Sequence, residues 1–183
     1  QLAVIFVLNP DGTQAYTRVN ANKVDLNRDA LDVSQPEMLA LQSFYSEFKP
    51  DLCLNLHGQR SIFSAGTTAN PAIISFLSPA VNKTRSITSS RKRSMQLISS
   101  LYLFLEKYIP KQIGTYDDAY NPNCTGDHFQ GLGTACILFE AGHYPDNYQR
   151  EETRKLIFIA YLKVLKDFTE NNYQDFPIST YQE

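Results

Sequence analysis

The sequence predicts an α/β domain with a mixed, largely parallel sheet flanked by helices. Short, almost wholly apolar runs alternate along the chain with longer segments whose apolar residues recur at helical spacing, which is typical of this fold class. Two of the apolar runs end directly in a polar residue, His57 in one and Glu140 in the other. With 183 residues, 43% of them hydrophobic, and no linker composition, we expect residues 1–183 to form a single domain.

The first predicted elements are a strand, a turn and a helix. The continuous apolar run over residues 2–8 predicts a strand buried on both faces, and Asn9–Gly12 has the composition of a turn. Ser34, with Glu37 three residues later, forms a capping-box pattern that predicts the start of a helix. Apolar residues at helical spacing follow, and we expect Lys49–Pro50 to end this helix.

The rest of the chain continues the alternation. Leu52 to His57 alternates apolar and other residues, as a strand does. We further predict a strand at Ala72–Leu77, a helix at Met95–Tyr108, a long loop at Tyr116–Leu132, a strand at Ala135–Phe139 and a helix at Gln149–Asn171.

The charge of the chain gives no indication of nucleic acid or a membrane as partner. The net charge is −2 and the pI is about 5.9. The one basic cluster, Arg91–Arg93, lacks interleaved aromatic residues, and we interpret it as a solvated helix start. No apolar run approaches the roughly 20 residues that a membrane-spanning helix needs.

The three cysteines do not form a disulfide framework. Their number is odd and none belongs to a Cys-x-x-Cys pair. Cys53 and Cys136 lie in apolar strand-like runs, where a small buried thiol is expected, and Cys124 lies in a polar loop. This usage slightly favours a reducing compartment such as the cytoplasm.

His57 and Glu140 are the first candidates for chemistry. In a parallel sheet the carboxyl ends of strands share one edge, so the two side chains can meet there. A neutral His57 imidazole could bind zinc or act as a base, although a lone histidine is more often hydrogen-bonded within the core. Glu140 at the mouth of an apolar strand is a candidate general base, or else the ion-pair partner of one of three arginines, namely Arg18, Arg28 and Arg60.

Asn27 and Arg28 are candidates for binding a carboxylate. Arginine holds a carboxylate by two parallel hydrogen bonds, and a neighbouring asparagine can add another. This pair would suit a substrate with a free C-terminus. The alternative is a structural ion pair of Arg28 with Asp25 or Asp29.

Taken together, these residues resemble the M14 family of zinc metallocarboxypeptidases. The motifs follow one another in the family's order and at roughly its spacing, over about three quarters of the chain. They are Asn9–Gly12, Arg18, Val24–Arg28, Leu54–His57 and Leu138–Glu140.

The resemblance implies a role for each matching residue. His57 corresponds to the third ligand of a single zinc ion, and Glu140 to the general base that activates the zinc-bound water. Asn27 and Arg28 correspond to the pair that holds the substrate's terminal carboxylate. Arg18 corresponds to the arginine that polarises the scissile carbonyl.

Two further positions carry over from the family. Tyr120, by its distance from Asp127, matches the mobile tyrosine that covers the substrate, with Tyr116 as the second choice. Gly126 falls where the family places the residue that selects the substrate side chain. A glycine there offers neither charge nor bulk for that selection.

The family's other two zinc ligands form a His-x-x-Glu motif upstream of Asn9–Gly12. Only eight residues precede Asn9, and none of them is His or Glu. We therefore expect this chain to be the C-terminal portion of a catalytic domain, with an upstream segment of the same protein supplying the missing ligands. A site made of His57, Glu140 and His143 would consume the general base and is not favoured.

Three functions remain open at this point. The first is a carboxypeptidase that removes C-terminal residues from peptides. The second is an aspartoacylase-like zinc amidohydrolase acting on a small acyl-amino acid with a free carboxylate. The third is a metal-free domain that binds peptide C-termini through Asn27 and Arg28 without hydrolysis.

Overall fold

A four-stranded mixed sheet forms the centre of the molecule. The computed structural model describes residues 1–182. The strands are β1 (Leu52–Gly58), β2 (Ile74–Leu77), β3 (Ile113–Thr115) and β4 (Ala135–Ala141). They are arranged in the order β1-β4-β2-β3, with β1 parallel to β4, β2 parallel to β3, and β2 antiparallel to β4. The predicted fold class, a mixed and largely parallel sheet flanked by helices, is confirmed.

The part of the chain that the structure describes also forms six α-helices. They are α1 (Pro10–Ala15), α2 (Pro36–Phe48), α3 (Ser89–Leu105), α4 (Thr125–Gly131), α5 (Glu151–Glu170) and α6 (Ser179–Gln182), with short 3-10 helices at Leu26–Arg28 and Asn172–Asp175. Of these, α3, α4 and α5 pack on the sheet. The helices predicted around 36–48, 95–108 and 149–171 are all present. Helix α2 ends as predicted, because Lys49 adopts a left-handed conformation before Pro50.

One face of the sheet carries the hydrophobic core. Residues of β2 and β4, such as Phe76 and Phe139, pack there against α3 and α5. The Phe139 ring meets the ring of Tyr161 in α5 at a centroid distance of 5.1 Å, in an edge-to-face arrangement. This apolar layer fixes the two central strands and so the positions of their ends.

The other face of the sheet carries the polar side chains. Cys53, Asn55 and His57 alternate with the core residues of β1 and therefore share this second face. Helix α4 covers it: a side chain added at Gly126 would lie 3.2 Å from Nδ2 of Asn55. The sheet thus lies between a predominantly apolar helical layer and a more polar one.

The N-terminal segment does not form the predicted strand. Residues 2–7 are irregular, and the side chains of the apolar residues there are exposed, Phe6 to 91%. Among the described residues no strand pairs with this segment, and β1 is left as an edge strand. A strand requires a hydrogen-bonded neighbour, so apolar sequence alone does not produce one.

The structure differs in detail from the predicted turn at Asn9–Gly12 and from the predicted capping box at Ser34. Asn9 caps helix α1, its Oδ1 accepting a hydrogen bond of 2.8 Å from the Gly12 N–H. Ser34 does not cap α2, because its hydroxyl donates instead to Asp29 Oδ1 at 2.6 Å. The Glu37 carboxylate accepts from the Asn20 side chain, so the helix begins at Pro36 without a side-chain cap.

Helix α3 begins earlier than predicted, and its basic start is solvated only in part, since Lys92 is exposed whereas Arg91 is buried. Arg91 is 1% exposed and forms an ion pair with Asp118. Ser90 and Ser94 are buried as well, where they hydrogen-bond the Gln130 side chain. The first turn of this helix could not be predicted from apolar periodicity, because its buried residues are polar and hydrogen-bond one another.

The predicted loop at 116–132 is only partly a loop, because α4 occupies residues 125–131 of it. Strand β3 was not predicted, since three residues are too few to show a period. No helix within residues 1–182 is long and apolar enough to cross a membrane.

Candidate active site

His57 and Glu140 lie directly opposite each other at the ends of two neighbouring strands. The parallel register of β1 and β4 pairs His57 with Glu140, and paired residues of parallel strands point to the same face. Ser75 of β2 is the next residue in this row, since it pairs with Glu140 from the other side. The sequence-based expectation that the two strand ends share one edge therefore matches the observed register.

The surroundings of the His57 side chain favour its neutral form. Burial lowers the pKa of His57, and the positive charges of Arg18 and Arg28 lower it further, while Asp25 acts in the opposite direction. Its Nε2 atom is buried and has no hydrogen-bond partner. A neutral imidazole in this state can accept a proton or bind a cation.

The Glu140 carboxyl group has the opposite shift. Burial raises the pKa of Glu140, and the nearby charge of Arg18 lowers it again in part. Its Oε2 atom is also buried without a partner. A carboxylate whose pKa is raised toward neutrality is suited to taking up and releasing a proton.

Arg18 provides the positive charge that acts on both groups. Its Nε donates to Asp25 Oδ2 at 2.7 Å, and about half of its side chain is exposed. Asp25 also caps the 3-10 helix through the Asn27 N–H. The ion pair therefore fixes Arg18 to the segment that carries the proposed carboxylate-binding residues. Asp25 thus forms its ion pair with Arg18, whereas the sequence analysis considered an ion pair of Asp25 with Arg28.

Asn27 and Arg28 are tied to the start of helix α4. Asn27 Oδ1 accepts a hydrogen bond of 3.0 Å from the Thr125 N–H. Arg28 is exposed, and its Nη1 donates to the Asn27 carbonyl at 2.7 Å and to Cys124 Sγ at 3.1 Å. The second contact holds the guanidinium beside Asn27 while leaving most of its donors free for a ligand.

Tyr116 and Tyr120 both lie in the loop before α4, and each is partly buried. The Tyr116 hydroxyl donates to Gln59 Oε1 at 3.2 Å. Burial raises the pKa of Tyr116, and the Glu140 charge raises it further. Gly126 is buried against Asn55, one strand position from His57 on the same face.

Comparison with solved structures identifies the fold. A metallo-carboxypeptidase from Burkholderia cenocepacia superposes with a TM-score of 0.64 at 18% identity, covering 88% of this chain and 43% of that protein. A metallo-carboxypeptidase from Pseudomonas aeruginosa, in complex with (2-guanidinoethylmercapto)succinic acid, gives 0.61 at 20% identity, covering 87% and 44%.

The chain has the fold of part of a metallo-carboxypeptidase. It spans less than half of the length of these relatives. No protein-family model matches the sequence, and a comparison with characterised proteins finds no significant match. The likeness is thus one of three-dimensional structure.

A metallo-carboxypeptidase fold raises the question of a metal, and the residues described here do not form a metal site. No group of three or more His, Cys, Asp or Glu residues within 1–182 could hold an ion. His57 offers one donor, and the buried Nε2 of His143 is not brought into a common site with it. A catalytic zinc needs about three protein ligands.

Three residues of this candidate site were not predicted as site residues. Asp25 orients Arg18, Cys124 contacts Arg28, and Gln59 holds the Tyr116 hydroxyl. Asp25 could have been found, because it lies within the Val24–Arg28 motif. Cys124 and Gln59 carry no local pattern, and only the folded chain brings them to the site.

Proposed function

We propose that this chain forms the carboxylate-binding and proton-transferring part of a carboxypeptidase-like hydrolase that acts on peptides with a free C-terminus. The observation that carries the proposal is the pairing of His57 with Glu140, each with a buried polar atom that lacks a protein partner. Such atoms are costly unless a ligand, ion or water satisfies them. Two of them at adjacent strand ends therefore indicate a binding site.

Arg28 and Asn27 would bind the terminal carboxylate of the substrate. The exposed guanidinium retains free donors, and its contacts with Asn27 and Cys124 hold it in place. The P. aeruginosa protein was solved with a succinic acid derivative, which is a dicarboxylate, and this agrees with carboxylate recognition in the fold. We place Gly126 and Tyr120 along the same substrate path, as the sequence resemblance implies.

Arg18 and Glu140 would perform the chemistry at the scissile bond. The Arg18 guanidinium would donate to the carbonyl oxygen as negative charge develops there. Glu140 would take a proton from the attacking water and transfer it to the leaving amine, a role that suits its raised pKa.

Zinc is the cofactor that the resemblance implies, and when bound it would polarise the carbonyl and the attacking water. His57 would be one ligand through Nε2. Since residues 1–182 do not complete the site, the remaining ligands would come from elsewhere, such as an upstream segment of the same protein.

A titration with matched peptides tests the carboxylate site. A peptide with a free C-terminal carboxylate is titrated into the chain by calorimetry, and the same peptide with an amidated C-terminus serves as the control ligand. Arg28→Ala should weaken binding of the free acid by about 10- to 100-fold, the effect of losing a charged hydrogen bond of about 1.5–3 kcal/mol. Arg154→Ala, which removes an exposed arginine of α5, should leave affinity unchanged. Equal affinity for both peptides would refute the proposal.

One observation favours the metal-free alternative as the function of this chain in isolation. The residues proposed to bind the carboxylate all lie within the described chain. Of the expected metal ligands, the described chain contains His57 alone. Adding a chelator to the same titration separates the cases. Unchanged affinity, together with no hydrolysis after zinc is added, is the result expected for a binding domain.

A further inference from the structure

Cys53 and Cys136 are opposite each other in the sheet although they are far apart in sequence. They are register partners in the parallel strands β1 and β4, so their side chains leave the same face. Neighbouring strands are about 4.8 Å apart. Disulfides form where the Cα atoms are roughly 4.4–6.8 Å apart with both Cβ atoms directed the same way. The spacing of neighbouring strands therefore falls within the Cα separation at which disulfides form.

The two thiols also act on each other's acidity. The neighbouring Cys136 thiol lowers the pKa of Cys53, although burial acts to raise it. Burial, together with the adjacent Cys53, raises the pKa of Cys136 well above its ordinary value. Cys53 is the better nucleophile of the two, because the thiolate is the reactive form.

The two cysteines also differ in their exposure to solvent. Cys136 is fully buried, whereas Cys53 lies on the edge strand and is partly exposed. Of the two thiols, Cys53 is therefore the one that an oxidant can approach from solvent. Cys124, the third cysteine, contacts Arg28 at the candidate active site.

We propose that Cys53 and Cys136 are a redox site that forms a reversible disulfide between β1 and β4. With oxidised glutathione as oxidant, the Cys53 thiolate attacks one glutathione sulfur and releases the first reduced glutathione. The resulting mixed disulfide is then attacked by Cys136, which gives up its proton and expels the second reduced glutathione. Two thiols are oxidised and one glutathione disulfide is reduced, so the electrons balance.

The disulfide would fix the edge strand that carries His57 to the strand that carries Glu140. Within the described residues, β1 has β4 as its sole neighbouring strand. A covalent link between residues 53 and 136 closes a long loop, which restricts the unfolded chain. The midpoint of thermal unfolding should rise by about 10 °C on oxidation.

Mass spectrometry of the folded chain tests the proposal. The Cys124→Ser variant is equilibrated in buffers of increasing oxidised-to-reduced glutathione ratio, quenched with acid, and alkylated after denaturation. The expected product has lost two hydrogen atoms, takes up no alkylating agent, and yields one peptide pair linked through Cys53 and Cys136. Two alkylated thiols at the most oxidising ratio, or glutathione adducts without a linked pair, would overturn the proposal.

Two variants test the order of the steps. Cys136→Ala should accumulate a stable glutathione adduct on Cys53, while Cys53→Ser should form none because Cys136 is buried. An adduct on Cys136 in the second variant would contradict the assigned order. If either variant fails to fold, the mass result for Cys124→Ser still decides whether the disulfide forms. None of these measurements depends on peptide binding or hydrolysis, so they are independent of the proposed function.

Discussion

Replacing Gly142 by alanine should destabilise the protein by loosening the end of β4. Gly142 is buried two residues after Glu140, and its N–H donates to the Ile73 carbonyl at 2.8 Å. A Cβ at position 142 would overlap the Ala72 carbonyl oxygen and would lie 3.0 Å from that of Ile73. These neighbours are backbone atoms, so no flexible side chain can move aside.

The cost of Gly142→Ala has two parts. Relieving the overlap requires a shift of about 1 Å, and overpacking of this kind costs about 1–3 kcal/mol. The same shift stretches or breaks the buried hydrogen bond to Ile73, worth about 1 kcal/mol or more. We therefore expect the free energy of unfolding to fall by about 3 kcal/mol.

Urea unfolding followed by circular dichroism measures this change, with Gly131→Ala as the matched control. Gly131 ends helix α4, and a Cβ there would meet no atom within 4 Å. Alanine is the better helix former, so the control should be neutral or more stable by up to about 1 kcal/mol. A loss below about 1 kcal/mol for Gly142→Ala would refute the packing argument.

Two further predictions concern buried charge. Glu140→Gln should raise the free energy of unfolding at about pH 7. The pKa of Glu140 is raised in the folded protein, so the contribution of Glu140 to stability is complete only below its ordinary pKa of 4.5. That contribution is lost as the pH rises through the raised pKa. The advantage over wild type in urea unfolding should shrink as the pH falls toward 4.5; a pH-independent difference would argue against it. Asp118→Ala should cost about 3 kcal/mol, because it leaves Arg91 buried without its ion-pair partner. Glu151→Ala, which breaks an exposed pair, is the control and should change stability by less than about 0.5 kcal/mol; equal effects would contradict the argument.

The sequence by itself determined the class of the fold and the two strands that carry His57 and Glu140. β1 and β4 were predictable because their apolar runs are local and short, and because His57 and Glu140 end or nearly end them. The helices α2 and α5 were predictable for a similar reason, since one apolar face repeats along each. The position of His57 and Glu140 on one edge followed from the parallel topology alone.

Only the tertiary structure decided which groups are paired and which are exposed. Residues 2–7 have the composition of a buried strand, yet without a partner strand they remain irregular. Arg91 has the composition of a surface residue, yet Asp118 makes its burial possible. In both cases the outcome depends on a contact with another part of the chain, which local composition does not encode.

The same distinction applies to the site and to the cysteines. The Arg18–Asp25 ion pair and the Cys53–Cys136 pairing are formed by side chains whose relation depends on a turn and on a strand register. Local sequence sets what each segment can become, because propensity and periodicity act over a few residues. Register, burial and charge pairing are set by distant contacts, because hydrogen bonds and packing are satisfied only when the whole chain has folded.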